Sequence, residues 1–359
     1  LLWLSHIEQA AFMLFMLADT LLSLLWQMLE TLSDLPLSIW VSGAPSTWAL
    51  LLSLISVGLM LKADLGRMRH FAALGLLPLF LRLPESWPDG RYEVQILDVG
   101  QGLSMVIQTA GHSLLYDAGA RYDSGFDSGT AIVIPFLRQQ HIRRLDVAVI
   151  SHDNLDHYGG MPKTLQEITA QDRYSAAGFY PQSEPCQQGQ SWNWDGVQFA
   201  FLNPPSQSEK ADNNASCVLK ISSRYGSILL PGDIEREAEK QLLVSERTEI
   251  SNIDVLLSPH HGSKTSSTKE FLSALNPQLV IISAGYLNRF NHPSPKIVAR
   301  YENHNSEVLN TSNSGWIRLS FEDAGIGAQA WRAVFRRYWL ETVGGVEPHN
   351  ILIKPRPGD

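Results

Sequence analysis

Cysteine is almost missing from this chain: its 359 residues include two, Cys186 and Cys217, and no C-x-x-C pair. That excludes the usual thiolate zinc module. It leaves the two to pair in an oxidising compartment or to stay buried as ordinary thiols. An excess of positive charge is lacking as well. Lys and Arg number 28 against 36 Asp and Glu, a formal net charge of −8. No overall basic balance therefore draws in a polyanion, which would have to meet a local basic patch or bound cations. Basic residues are scarcest in residues 1–88, which hold only Lys62, Arg67, Arg69 and Arg82. The chain also opens on Leu1 without an initiating methionine, and it is expected to be the C-terminal part of a longer protein.

What residues 1–88 do have is Leu, Met, Phe and Trp. "AAFMLFMLADTLLSLLWQML" (Ala10 to Leu29) is apolar over about five helical turns apart from Asp19, so it is a membrane helix or an interfacial one. "TWALLLSLISVGLML" (47–61) and "FAALGLLPLFL" (71–81) are shorter runs, flanked like the first by Trp3, Trp26, Trp40, Trp48 and Trp87, as interfacial anchors often are. The expectation is a membrane-associated segment with one interfacial helix and two short spans. The basic loop Lys62 to Arg69 lies on the cytoplasmic side by the positive-inside tendency. A crossing at 71–81 then puts the domain beginning near Gly90 outside the membrane. The chain is too long for one core of ordinary size, and a linker at "PESWPDG" (84–90) divides it. Residues 89–340 read as a soluble α/β domain and 341–359 as a tail.

The soluble part repeats one construction. "LDVAVI" (145–150) reads as a buried strand and is followed at once by "SHDNLDHYGG", with His152, Asp153, Asn154, Asp156 and His157. Gly159 and Gly160 suit a sharp turn into the helix "MPKTLQEITA". "SILLPGD" ends on Asp233, "DVLLSPHHGS" on His260 and His261, and "LVIISAG" leads to Asn288 and His292. Imidazoles and carboxylates at the ends of several strand-like runs describe a metal site built from loops on one sheet edge. The other runs, from "YEVQILDVG" through "SLLYDAG" to the helix "IEREAEKQLLVSE", complete two half-domains of sheet backed by helices, a four-layer αββα sandwich.

"ILDVGQG", "YDAG", "ISHDNLDHYGG", "NNASCVL", "LLPGD", "SPHHGS" and "NHP" occur in an order that resembles ComEC-type DNA-uptake proteins, whose C-terminal domain belongs to the metallo-β-lactamase superfamily. The resemblance covers about residues 92–320. It implies an α/β metallo-β-lactamase-like αββα sandwich preceded by membrane-associated helices. It further implies a metal-dependent nuclease of an inner-membrane channel, proposed to degrade the DNA strand that is not taken up. The domain would face the periplasm, and its partners would be DNA, membrane lipid, the channel part upstream and other competence proteins. A small-molecule ester or lactam hydrolase and a non-catalytic DNA- or partner-binding module are the alternatives.

Carried over residue by residue, the resemblance makes His152 and Asn154 ligands of a first divalent ion. Asp156, His157 and one of His260 and His261, with His261 favoured, would hold a second, and Asp233 would bridge the pair, with zinc or manganese as the metal. Catalytic roles fall to Asp156, to His260 beside the ligands, and to His292, which would protonate the leaving oxygen or bind phosphate. Asn213, Asn214, Ser263, Lys264 and Arg289 are expected to contact substrate, with Arg121 as a further phosphate contact. Asn154 departs from the family's His or Asp, so the first ion position is expected to be the weaker one.

Overall fold

The structure, a computed structural model, describes residues 2–33, 35, 45–62, 66, 69–79, 87–205, 210–334 and 350–355. The chain forms two compact units, divided between Arg82 and Leu83.

In the first unit, helix α1 runs over Leu2–Ser33. Its stretch Gln9–Ser33 is long and apolar enough to cross a membrane, at about 1.5 Å per residue against a hydrocarbon thickness of about 30 Å. Phe12, Phe15, Leu21 and Trp26 are all exposed along it. Helix α2 (Thr47–Leu61) is capped by Ser46, whose hydroxyl accepts from Ala49 N at 3.3 Å, and with 15 residues it is shorter than a comfortable span. Residues 71–79 of the expected span at 71–81 are described, and they are not one continuous α-helix. The helix Arg69–Ala72 gives way to a 3-10 segment, Ala73–Leu79, that contains Pro78. Proline lacks the N–H that would continue an α-helix and crowds the preceding turn. Trp40, Phe80, Leu81, most of the basic loop and the first half of the linker lie outside the described residues.

Among the described residues the second unit holds sheets of nine and seven strands. The first contains β1 (Tyr92–Ile96), β2 (Ser104–Gln108), β3 (Ser113–Ala118), β4 (Leu145–Ile150), β5 (Ala170–Ser175) and β6 (Glu184–Pro185). The second contains β7 (Ser191–Trp194), β8 (Val197–Asn203), β9 (Val218–Ser223), β10 (Gly226–Leu230), β11 (Val255–Leu257), β12 (Leu279–Ile282) and β13 (Glu307–Asn310). The chain then returns to the first sheet with β14 (Ile317–Glu322), β15 (Gly325–Ala330) and β16 (Asn350–Ile353), in the order β16-β15-β14-β1-β2-β3-β4-β5-β6. The expected tail therefore supplies an edge strand, β16, paired antiparallel to β15.

Strand alternation explains the layering. On β10 to β12, Ile228, Leu230, Val255, Leu257 and Ile281 join Tyr92, Val94 and Phe321 of the other sheet in a core between the sheets. Their neighbours Leu229, Leu256, Val280 and Ile282 face outward onto Leu242, Phe271, Leu272 and Tyr301 of three helices. The first sheet is covered in the same way by Val133, Leu137, Met161 and Leu165. This is the αββα sandwich. In each half several strands run parallel: β3 to β6 in one, β10 to β13 in the other. Their carboxyl ends share an edge, where open α/β sheets place ligands.

Candidate metal centre

Each side chain of the site leaves a parallel strand at that edge. Asp117 is the second-last residue of β3, Ser151 and His152 follow β4, and Asp156 and His157 sit on the short helix Leu155–Tyr158 after it. Asp233 follows β10, His261 follows β11, and Ser283 follows β12. The "DVGQG" loop packs onto this group. Leu103 N donates to Asp156 O at 3.1 Å, and Gly102, at φ 130°, lies where a Cβ would stand 2.2 Å from that same oxygen. Only glycine fits there.

Two groups of potential ligand atoms converge: His152, His157 and Asp233, and Asp156, His157 and His261. Asp233 Oδ1 is 3.2 Å from His157 Nε2, and its Oδ2 is 3.5 Å from His261 Nε2 and 3.9 Å from His152 Nε2. Asp156 Oδ2 lies 3.3 Å from His261 Nε2. Neighbours outside these groups set the ring orientations. His157 Nδ1 donates to Asp117 Oδ2 at 2.7 Å, and His261 Nδ1 donates to the Ser283 carbonyl at 2.8 Å. Both partners accept only, so in the neutral rings both Nε2 atoms carry lone pairs. They face each other at 3.2 Å, a contact that requires positive charge between or beside them.

The electrostatics agree. Burial alone would pull His157 down, but Asp233 and Asp117 hold it well above the usual imidazole range. His261 is raised against burial by Asp233 and Asp156. Burial opposes the carboxylates, yet His157 and His261 hold Asp233, and His261 and His157 hold Asp156, well below theirs. His152 differs, since burial and the nearby His157 push it down to about 4. It is a neutral imidazole whose Nε2 is buried without a hydrogen-bond partner, an arrangement that costs free energy in a dry site. A divalent cation held by His152, His157 and Asp233 would satisfy that nitrogen. The mixed nitrogen and oxygen donor set suits zinc or manganese.

Other predicted residues stand apart from the two groups. Asn154 is exposed, and its amide donates to Asn213 Oδ1 at 2.8 Å. Asn214 Oδ1 accepts from Glu235 N at 3.0 Å and so tethers the start of the helix Arg236–Ser245. His260 is at the rim, its Nε2 3.8 Å from Asp233 and its Nδ1 near Glu235 and Thr265. Ser263 N donates to His260 O at 2.9 Å, and its hydroxyl meets Thr265 Oγ1 at 3.1 Å. The His292 ring stands 5.8 Å from that of His260. Burial, His261 and His260 lower its pKa. Lys264, Arg121 and Arg289 are exposed. Residue-level reading missed Asp117, Ser151 and Ser283, which orient the imidazoles. The signal for Asp117 was an acid ending an otherwise apolar buried strand.

The sequence model of the metallo-beta-lactamase superfamily matches residues 97–286. Competence protein ComA of Neisseria gonorrhoeae is 33% identical over 328 residues, 90% of this chain and 45% of its own length. ComE operon protein 3 of Bacillus subtilis is 28% identical over 340 residues, 85% of this chain and 43% of its own. The chain thus spans less than half the length of these curated relatives. Among solved structures, a metallo hydrolase from Ignicoccus hospitalis aligns at 16% identity with a TM-score of 0.47, covering 64% of this chain and 100% of the other. Because the superfamily pattern extends over more than half of its residues and falls on the very loops that gather the imidazoles and carboxylates, this chain belongs to the metallo-β-lactamase superfamily.

Proposed function

We propose that the second unit is a metal-dependent phosphodiesterase that cleaves DNA, held at the bacterial inner membrane by the helices of residues 1–82 as part of a DNA-uptake protein. The convergence at Asp233 carries this reading: three imidazoles and two carboxylates meet there, with the Nε2 of His152 buried and without a hydrogen-bond partner. The resemblance to competence proteins supplies the substrate class.

Divalent ions held there supply a Lewis acid for a phosphoryl oxygen and lower the pKa of water toward neutrality. His157 has one free lone pair, because Asp117 takes its Nδ1–H, so it serves one ion. The two oxygens of Asp233 face different imidazoles, so this carboxylate would help to hold each ion the site takes up. His260, with Nδ1 held by Glu235 and Thr265, presents Nε2 at the rim, where it can move a proton to or from the reacting oxygens. Arg121 and Arg289, both exposed, would meet flanking phosphates.

The purified chain, loaded with zinc or manganese, should hydrolyse bis(p-nitrophenyl) phosphate and DNA and stop on chelation. Asp233→Asn should keep the fold and lose both metal and activity. A loaded protein that cleaves lactams or esters but neither diester would refute the reading. The same proposal places the domain in the periplasm, beside its other competence partners. Val244 is highly exposed, so Val244→Cys should react with a membrane-impermeant thiol reagent in intact cells. Labelling only after lysis would put the domain in the cytoplasm.

A further inference from the structure

Around the metal groups the rim displays large side chains that the hydrolytic chemistry does not use. Tyr286, Leu287 and Phe290 are 58%, 85% and 49% exposed, and Tyr122 and Phe126 are 44% and 41% exposed. The loop bearing the first three is pinned. Asn288 Nδ2 donates to Gly285 O at 2.8 Å and to His292 O at 2.5 Å, while its Oδ1 accepts from Phe290 N at 3.1 Å and His292 N at 3.0 Å. Within it Leu287 adopts φ 49°, a conformation a branched apolar residue takes only when its surroundings impose it. The opposite loop is tied by Tyr122 N donating to Phe126 O at 2.9 Å, with the two rings 6.0 Å apart.

These rings lead outward from the metal groups. His260 faces Asp233 at 3.8 Å, the His292 ring comes next at 5.8 Å, and Phe290 stacks on His292 at 5.9 Å. The Arg289 guanidinium covers the Phe290 ring at 4.7 Å. The Tyr122 hydroxyl donates at 3.5 Å to the carbonyl of Gln101, in the "DVGQG" loop that packs on the site. Imidazole, phenyl and guanidinium groups thus follow one another along a path that begins at the reacting centre, on a chain whose formal net charge is −8.

We infer that this rim is a stacking platform for the bases of a single nucleic-acid strand whose phosphate lies over the metal groups. Aromatic faces bind every base through its π-face and without sequence readout, while Arg289 and Arg121 track the backbone. A duplex keeps its base faces stacked inside, so the platform selects single strands. A lipid surface fits these observations less well. Sinking Leu287 and Phe290 into acyl chains would carry His292 and His260 against the bilayer and shut the site to a polymer. The inference rests on the phosphodiesterase reading and specifies the form of its substrate.

The test uses the whole chain in nanodiscs, in EDTA so that nothing is cut, with a fluorescent mixed-sequence oligonucleotide single-stranded or annealed. The single strand should bind about tenfold or more tighter than the duplex. Tyr122→Ala and Phe290→Ala should each weaken single-strand binding about 5- to 150-fold, the loss of one base stack, and Phe290→Trp should restore it. Arg289→Ala should lower the slope of log affinity against log salt by about one. Equal affinity for both forms, or Ala variants that bind as wild type, would overturn the platform. So would quenching of a dye on Leu287→Cys by brominated lipid, which would place the loop in the bilayer. Hydrolysis of bis(p-nitrophenyl) phosphate by the metal-loaded wild type reports the centre separately, so failure of the platform and failure of the phosphodiesterase reading are distinguishable.

Discussion

Asp117 lies outside both groups of candidate ligands, yet it decides which nitrogen of His157 faces the site. Fully buried at φ 58°, it accepts from Ser151 N and Ser151 Oγ, each at 2.7 Å, as well as from His157 Nδ1. Carboxylates in this position fix the tautomer and basicity of a metal-ligating histidine. Asp117→Asn should therefore keep the fold by circular dichroism and lower zinc affinity about 10–100-fold in a metal titration; an unchanged titration would make Asp117 a purely structural residue. His152 allows a sharper experiment, because its effect should change sign with metal. Its Nε2 is buried without a hydrogen-bond partner, and an unsatisfied buried polar atom costs about 1–3 kcal/mol. His152→Leu should leave the stability of the metal-free protein unchanged or raise it, and should lower that of the metal-loaded protein. Denaturant titrations with and without metal measure both, and a loss of equal size in the two states would remove His152 from the ligands.

At the scale of elements, the glycines after "HDNLDHY" show where sequence reading finds the right residues and assigns the wrong cause. A sharp turn is the reason their pattern suggests, but Gly159 is at φ −54° and Gly160 at φ −81°, within reach of any residue. What they permit is close approach. A Cβ on Gly160 would stand 2.3 Å from Ala118 O and 2.5 Å from Gly129 N, and one on Gly159 would stand 2.4 Å from Arg121 N. The helix carrying Asp156 and His157 is thereby laid directly on the end of β3. Gly160→Ala should cost about 1–3 kcal/mol in chemical denaturation, as overpacking does, and should weaken metal binding by shifting that helix. A gain in stability, as helix propensity alone would give, would refute the close-packing account. The same contrast governs what could be read in advance. β4, β10, β11 and β12 are short apolar runs buried on both faces, and such runs announce themselves. β5 exposes Gln171 and Asp172, β14 alternates buried with half-buried residues, and β16 lies in what reads as a tail. These edge or one-sided strands owe their conformation to pairing partners distant in sequence, which no local pattern records.

The whole site depends on both sheets at once. His152, Asp156 and His157 come from the first sheet, while Asp233 and His261 come from the second. The ligand candidates on these loops were legible because each ends a recognisable run; the seam that holds the halves in register was not, because two lone cysteines are compatible with free thiols or a bond. The structure joins them: Cys186, just after β6, is disulfide-bonded to Cys217, just before β9, across 31 positions of sequence. The bond links the two sheets beside the centre. Cys217 N donates to Ser151 O at 2.9 Å, the Tyr116 hydroxyl of β3 donates to Cys217 O at 2.7 Å, and Asp233 N donates to the neighbouring Ser216 Oγ at 3.1 Å. For a closed loop of this length, chain entropy gives about 3–4 kcal/mol of stabilisation. Reduction, or Cys186→Ala with Cys217→Ala, should lower the denaturation free energy by about that amount. It should also weaken metal binding, because the two half-sites lose their register. A bond with these effects suits an oxidising environment, which the proposed periplasmic placement would provide. Denaturation curves recorded with and without reductant, each paired with a metal titration, decide the matter. If both pairs superimpose, the two sheets hold their register through the shared core alone and the cysteines say nothing about the compartment.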